Sequence, residues 1–135
     1  MPSDSAVPAV APVAAFTAED LGRTLSGLDA TLAARRDADA GSSYVASLHA
    51  RGEDHILKKV GEEATEFLLA SKSGDPDHLV KEAADVWFHM LVLMSHKGLG
   101  AADILGELAR REGLSGLVEK ASRTEPNEPT GVIDS

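Results

Sequence analysis

The sequence predicts an all-α fold of about five helices, and three observations carry that expectation. Between residues 16 and 113 the only proline is Pro76, no segment alternates apolar and polar residues as a half-buried strand would, and leucines recur at steps of three and four. The elements follow in order. Residues 1–15, almost all Ala, Pro, Val and Ser, have too little large apolar surface to pack and read as a disordered leader. Thr17 with Asp20 three residues on marks the start of a first helix, whose apolar side carries Leu21, Leu25, Leu28 and Leu32. Gly-Ser-Ser at 41–43 opens a short second helix that runs through Leu48 and stops at Gly52. Residues 53–73 form a third, Ser-Gly-Asp-Pro at 73–76 a turn, residues 77–97 a fourth and residues 101–112 a fifth. So short a turn makes the two long helices antiparallel neighbours. The domain then covers 16–113, and residues 114–135 form a flexible acidic tail.

Composition narrows the function classes. A chain of 135 residues with 43% hydrophobic content holds one ordinary core. Its net charge of −9 disfavours nucleic acid and anionic membrane as partners, which reward basic surfaces. With no cysteine there is neither a disulfide framework nor a thiolate metal site. The amino terminus lacks a basic segment and is broken by Pro8 and Pro12, so a cytoplasmic location without a membrane span is expected.

The chemistry gathers on the two long helices. Residues 58–67 read KKVGEEATEF, which places Glu62, Glu63 and Glu66 within five positions although like charges at helical spacing repel. Rotation by 100° per residue puts Val60, Ala64, Phe67 and Leu68 on an apolar stripe, with Lys59, Glu62, Glu63 and Glu66 beside it and Glu63 nearest. Alone, this would be a solvated face. The fourth helix argues otherwise, because it is apolar almost all round from Val86 to Met94 yet carries Glu82, Asp85 and His89 along one line. Acids are almost never buried unless paired or bound to metal. Antiparallel contact of the two helices would crowd these carboxylates, raising their pKa values unless a cation stands between them. An all-oxygen donor set favours Mg²⁺ or Mn²⁺ over Zn²⁺.

EExxE at Glu62–Glu66 followed by ExxD at Glu82–Asp85 resembles the signature of the all-α, MazG-like nucleoside-triphosphate pyrophosphohydrolases. Over roughly residues 16–112 the chain is similar to the phosphoribosyl-ATP pyrophosphohydrolase family of histidine biosynthesis, in Ser43-Tyr44, the KKVGEEATE block and the EAADVWFHMLVLM block. The resemblance implies cleavage of phosphoribosyl-ATP at the α–β phosphate bond, giving phosphoribosyl-AMP and pyrophosphate, by a homodimer. Neither the length nor the cysteines of the cyclohydrolase often fused to this activity are present. Cleavage inside a polyphosphate calls for cations that bridge phosphoryl oxygens and for carboxylates that hold them. By position, Glu63, Glu66, Glu82 and Asp85 are the expected metal ligands, and Glu62 a further ligand or the group that orients the attacking water. Lys58 and Lys59 are candidate contacts for the outer phosphates. His89 is a candidate donor to phosphate or to a ligand carboxylate.

The remaining signals are weaker. His49, His55, His78 and His96 read as surface or helix-terminal residues, and Trp87 and Phe88 as core or dimer packing. Gly61 inside a helix costs roughly 1 kcal/mol relative to Ala, so another helix or the substrate is expected to approach it closely. Five helices are too few to cover the fourth on every side, which predicts a four-helix-bundle core completed by a second subunit over Trp87, Met90 or Met94. A house-cleaning nucleoside-triphosphate pyrophosphohydrolase would share the metal site. A non-enzymatic helical dimerisation module would leave Glu82 and Asp85 unexplained. A di-iron protein would want Glu-x-x-His, where this chain has Asp85 and His89 four apart.

Overall fold

Each helix begins where its capping chemistry is strongest. The structure, a computed structural model, describes residues 15–113; the rest of the leader and the tail from residue 114 lie outside the described residues. α1 (Ala18–Arg35) opens on a capping box in which the Thr17 hydroxyl accepts from the Asp20 amide and the Asp20 carboxylate accepts from the Thr17 amide. That backbone hydrogen bond from Thr17 holds the Asp20 carboxyl below its ordinary pKa. α2 (Tyr44–Arg51) is capped by Ser43, whose hydroxyl accepts from the Ala46 amide at 3.0 Å. α3 (Glu53–Ser73) follows directly after Gly52. α4 (Pro76–His96) starts one residue earlier than the sequence suggested, because Pro76 sits at its first position and the Asp75 side chain accepts from the Asp77 and His78 amides. α5 (Ala101–Glu112) completes the set, and no strand occurs among the described residues.

The α3/α4 hairpin is the largest helix contact of the fold. Its turn depends on Gly74, which closes α3 with φ 78° in the left-handed region that disfavours other residues. At the far end Lys97, just after α4, pairs with Glu53 at the start of α3 at 2.7 Å, so the two helices run antiparallel for their full length. Ile56 and Ala70 are the fully buried residues of α3. The inward line Ile56, Val60, Glu63, Phe67 and Ala70, buried at its two ends and half-buried between them, runs at helical spacing, and Leu68, expected on it, instead lies outside with 65% of its surface exposed.

α1 and α2 close the other end of the hairpin. Leu32, Leu48, Ile56 and Val92, one from each of α1 to α4, are fully buried. Toward its start α1 is less covered: Leu21 is exposed, and Leu25 and Leu28 line a groove against Trp87 and Leu91 of α4. Asp29 accepts from the Ala101 amide at 2.9 Å. A side chain at Gly100 would come within 2.6 Å of the Asp29 carboxylate and so would have to displace it from the Ala101 amide. Residues 103–113 belong to a second unit, in which Arg110 and Arg111 hold the Glu107 carboxyl down at about 2.

His49 departs from expectation in one respect, for it is helix-terminal but buried. Its Nδ1 lies 3.2 Å from Nδ1 of His96 with the rings stacked at 15°. Burial, then His96, then Arg36 push its pKa below the ordinary 6.5, against a weaker pull from Asp37. A histidine buried neutral binds fewer protons than in the unfolded chain. Its contribution to stability is therefore complete above 6.5 and lost as pH falls through the folded value. Thermal melts are expected to fall off below about pH 6.5, and His49→Gln should flatten that slope while lowering the plateau. An unchanged slope in the variant would remove His49 as the cause.

Candidate active site

The inward line of α3 is interrupted by one charge, Glu63, and the facing stretch of α4 supplies another, Glu82. Oxygens of Glu63, Glu66 and Glu82 lie within 4.8 Å of one another. The Glu63 and Glu82 side chains are 12% and 15% exposed, and each has an Oε2 atom buried with no hydrogen-bond partner. Such an oxygen costs on the order of 1–3 kcal/mol or more while it stays unsatisfied. Burial, then the charge of Glu66, raises the pKa of both groups, and Asp85 adds to each. The crowding expected from the sequence is thus present. Oxygen donors at this spacing fit a hard divalent cation, whose ligands stand at roughly 2.0–2.6 Å, and the cation would satisfy the orphaned atoms.

The other candidates take up positions around this trio. Asp85 is exposed and outside it, though close enough to act on both buried carboxyls. Glu62 is turned away, engaged by Lys58 at 3.8 Å and Lys59 at 3.4 Å. Lys59 also reaches Glu63 at 3.9 Å. Attraction by Tyr44 leads the causes that raise its pKa, followed among the raising causes by Glu62. His78, in the first turn of α4, stands 3.9 Å from Glu82 at a spacing of four, so it faces the site instead of being a plain surface residue.

His89 is buried, and both ring nitrogens are engaged. Nδ1 lies 2.8 Å from the Asp85 carbonyl and Nε2 lies 2.8 Å from the Tyr44 hydroxyl. The polar group that reaches the surface here is therefore Tyr44, half-exposed at the start of α2. Sequence periodicity could not find it, because Tyr44 comes from a different helix 45 positions away. Phe88 packs parallel to Tyr44 at 6.3 Å and edge-on to His89 at 5.2 Å. Trp87 is not core, being 60% exposed. No helix approaches Gly61, where a side chain would meet nothing within 4 Å, so close helix approach within the chain is not the reason for that glycine. Among the described residues no helix is long and apolar enough to cross a membrane.

Comparison with known proteins gives this arrangement a family. The family model described as phosphoribosyl-ATP pyrophosphohydrolase matches residues 25–112, a span that contains every carboxylate just described. The phosphoribosyl-ATP pyrophosphatase of Neisseria gonorrhoeae is 58% identical over 101 residues, covering 75% of this chain and 94% of the relative. That of Chromobacterium violaceum is 60% identical over 99 residues, 73% of this chain and 92% of the relative. The one from Bordetella parapertussis is 55% identical over 102 residues, 73% and 89%. On the family match and these identities, the chain belongs to the phosphoribosyl-ATP pyrophosphohydrolase family.

Proposed function

We propose that the chain hydrolyses phosphoribosyl-ATP to phosphoribosyl-AMP and pyrophosphate, in the cytoplasm, as a step of histidine biosynthesis. Water oxygen forms a bond to the α-phosphorus, the bond to the α–β bridging oxygen breaks, and pyrophosphate leaves. The observation that carries this reading is the convergence of Glu63, Glu66 and Glu82, with two orphaned buried oxygens, in a chain of this family. Mg²⁺ or Mn²⁺ is the proposed cofactor; these three carboxylates would hold it, with Asp85 as a fourth ligand. When bound, the cation neutralises the phosphate charge and polarises the phosphorus. Glu62, outside the trio and joined to it only through Lys59, is the residue we assign to orienting the attacking water. Lys58 and Lys59, which pair with Glu62 and Glu63 beside the trio and offset the repulsion among the glutamates, are the residues we assign to the outer phosphates.

Relatives named for phosphoribosyl-ATP favour this substrate over an ordinary nucleoside triphosphate. The test is pyrophosphate release from phosphoribosyl-ATP and, separately, from a panel of nucleoside triphosphates. Phosphoribosyl-ATP should be preferred, activity should vanish in chelator, and Mg²⁺ or Mn²⁺ but not Zn²⁺ should be needed to restore it. Preferential turnover of an ordinary triphosphate would overturn the substrate, and full activity in metal-free buffer would overturn the cofactor.

A further inference from the structure

We propose that Arg51, oriented by His55, binds the terminal phosphate of the substrate's triphosphate, so that the site measures the length of the polyphosphate. This deepens the reading just given, and it rests only on the substrate being a nucleoside triphosphate. It starts from one row of side chains on α3. Rotation by 100° per residue puts His55, Lys59, Glu62 and Glu66 within about 60° of one another. The row is divided by charge, with acids on the later turns where the trio sits and bases on the earlier ones. Lys59 leans toward the trio and reaches Glu63 at 3.9 Å. His55 stands one turn further back, about 6 Å along the axis.

A break in the chain brings Arg51 onto this row. Arg51 ends α2, and Gly52, with φ 93° in the region that favours glycine, turns the backbone directly into α3. The guanidinium then lies against the His55 ring, Nη1 3.2 Å from Nε2. A guanidinium only donates, so the ring nitrogen accepts, and the remaining N–H groups of the fork have no partner among the described residues. No carboxylate pairs with Arg51 there either, in a chain of net charge −9. The acids next in sequence are directed elsewhere: Glu53 pairs with Lys97 at 2.7 Å, and Asp54 projects about 100° away from His55. Burial, then Arg51, Lys58 and Lys59, push the His55 pKa down against a weaker pull from Glu62. Positive charge is thus gathered without an anion to relieve it, one turn beyond the lysines assigned to the outer phosphates. With the α-phosphate at the trio and the middle phosphate at Lys59, the last one reaches Arg51, whose fork can meet it through two N–H groups. His55 acts as a positioning residue, and Arg51 makes the contact.

Arg51→Gln removes the charge at an exposed position, so folding is not at stake. Equilibrium binding in Mg²⁺ is compared for inorganic pyrophosphate, which carries the outer phosphates alone, for AMP, which lacks them, and for ribose 5-phosphate. The variant should bind pyrophosphate about tenfold more weakly, the scale of one charged hydrogen bond at an exposed site. KM for the triphosphate should rise by a similar factor, while AMP and ribose 5-phosphate bind as before. His55→Phe leaves Arg51 its charge but not its partner, so it should weaken pyrophosphate by a smaller factor and AMP not at all. Equal weakening of pyrophosphate and AMP would show a merely structural role and overturn the proposal, as would unchanged pyrophosphate binding in Arg51→Gln. A loss confined to ribose 5-phosphate would assign the subsite to a phosphate monoester and overturn it too. The binding measurements do not depend on which nucleotide is turned over, so failure of the phosphoribosyl-ATP reading and failure of this one give different results.

Discussion

Glu66→Gln is expected to lower turnover by roughly three orders of magnitude while raising the melting temperature of the metal-free protein. The first effect follows from removing one carboxylate of the trio, because stabilisation of phosphate charge by a held cation is worth several kcal/mol and each 1.36 kcal/mol is tenfold in rate. The second comes from the same charge seen without the cation. Glu66 is the leading electrostatic cause that raises the carboxyl pKa of both Glu63 and Glu82. A carboxyl raised above its unfolded value contributes stability below that value and loses it as pH rises through the folded pKa. At neutral pH the cluster therefore opposes folding, and neutralising Glu66 relieves it, by about 2–5 °C for a domain of this size. Mg²⁺ should stabilise the unaltered protein, by mass action, far more than the variant. Asp85→Asn is expected to lose turnover comparably if the fourth carboxylate closes around the cation, and melts with and without Mg²⁺ beside kcat measure both variants. Near-normal turnover in Glu66→Gln would remove this residue from the site.

What the sequence made legible was what lies along one helix. Helix starts at Thr17 and Ser43, the turn at 73–76, and the carboxylates of α3 and α4 all follow from spacings within a few residues, whereas the capping role of Asp75 did not show. The crowding of Glu63 and Glu82 was legible too, because a charge on an otherwise apolar line has few ways to be satisfied. The contacts that α2 makes with α4 were not. The Tyr44 hydroxyl on His89 and the His49 stack on His96 join residues 45 and 47 positions apart, and no periodicity reports such a meeting. The facing of α3 was misjudged for a related reason. Leu68 is as apolar as Phe67, and only the neighbouring helix decides that Phe67 turns in and Leu68 turns out. The same ambiguity surrounds α4, whose apolar residues exceed what its neighbours within the chain cover.

That excess leads to the second large effect, for Trp87→Glu is expected to dissociate the protein and to abolish activity with it. Within the described residues Val80 and Trp87 on α4 and Leu68 and Leu69 on α3 are each more than half exposed. Phe16, just ahead of α1, and Leu25 and Leu28 of α1 line the groove in which Trp87 stands, about 490 Å³ in volume. A tryptophan buries 150–250 Å² when covered, so leaving this face in water forfeits several kcal/mol at about 25 cal/mol per Å². A second copy related by a two-fold axis would cover it and complete a four-helix core from the two α3/α4 hairpins. Trp87 is a sharper probe than Met90, which is only partly exposed in the single chain and whose replacement by Asp would also damage the fold. A charge at Trp87 costs the lone subunit little and the interface a great deal, so the variant should be folded by circular dichroism yet monomeric by light scattering. Activity should fall with it, because the carboxylate trio stands on the same two helices that the interface would brace. Dilution of the unaltered protein should reproduce the loss in proportion to dissociation. A folded, fully active monomer of the unaltered chain at micromolar concentration would refute the shared core and leave the exposed face of α4 without an occupant.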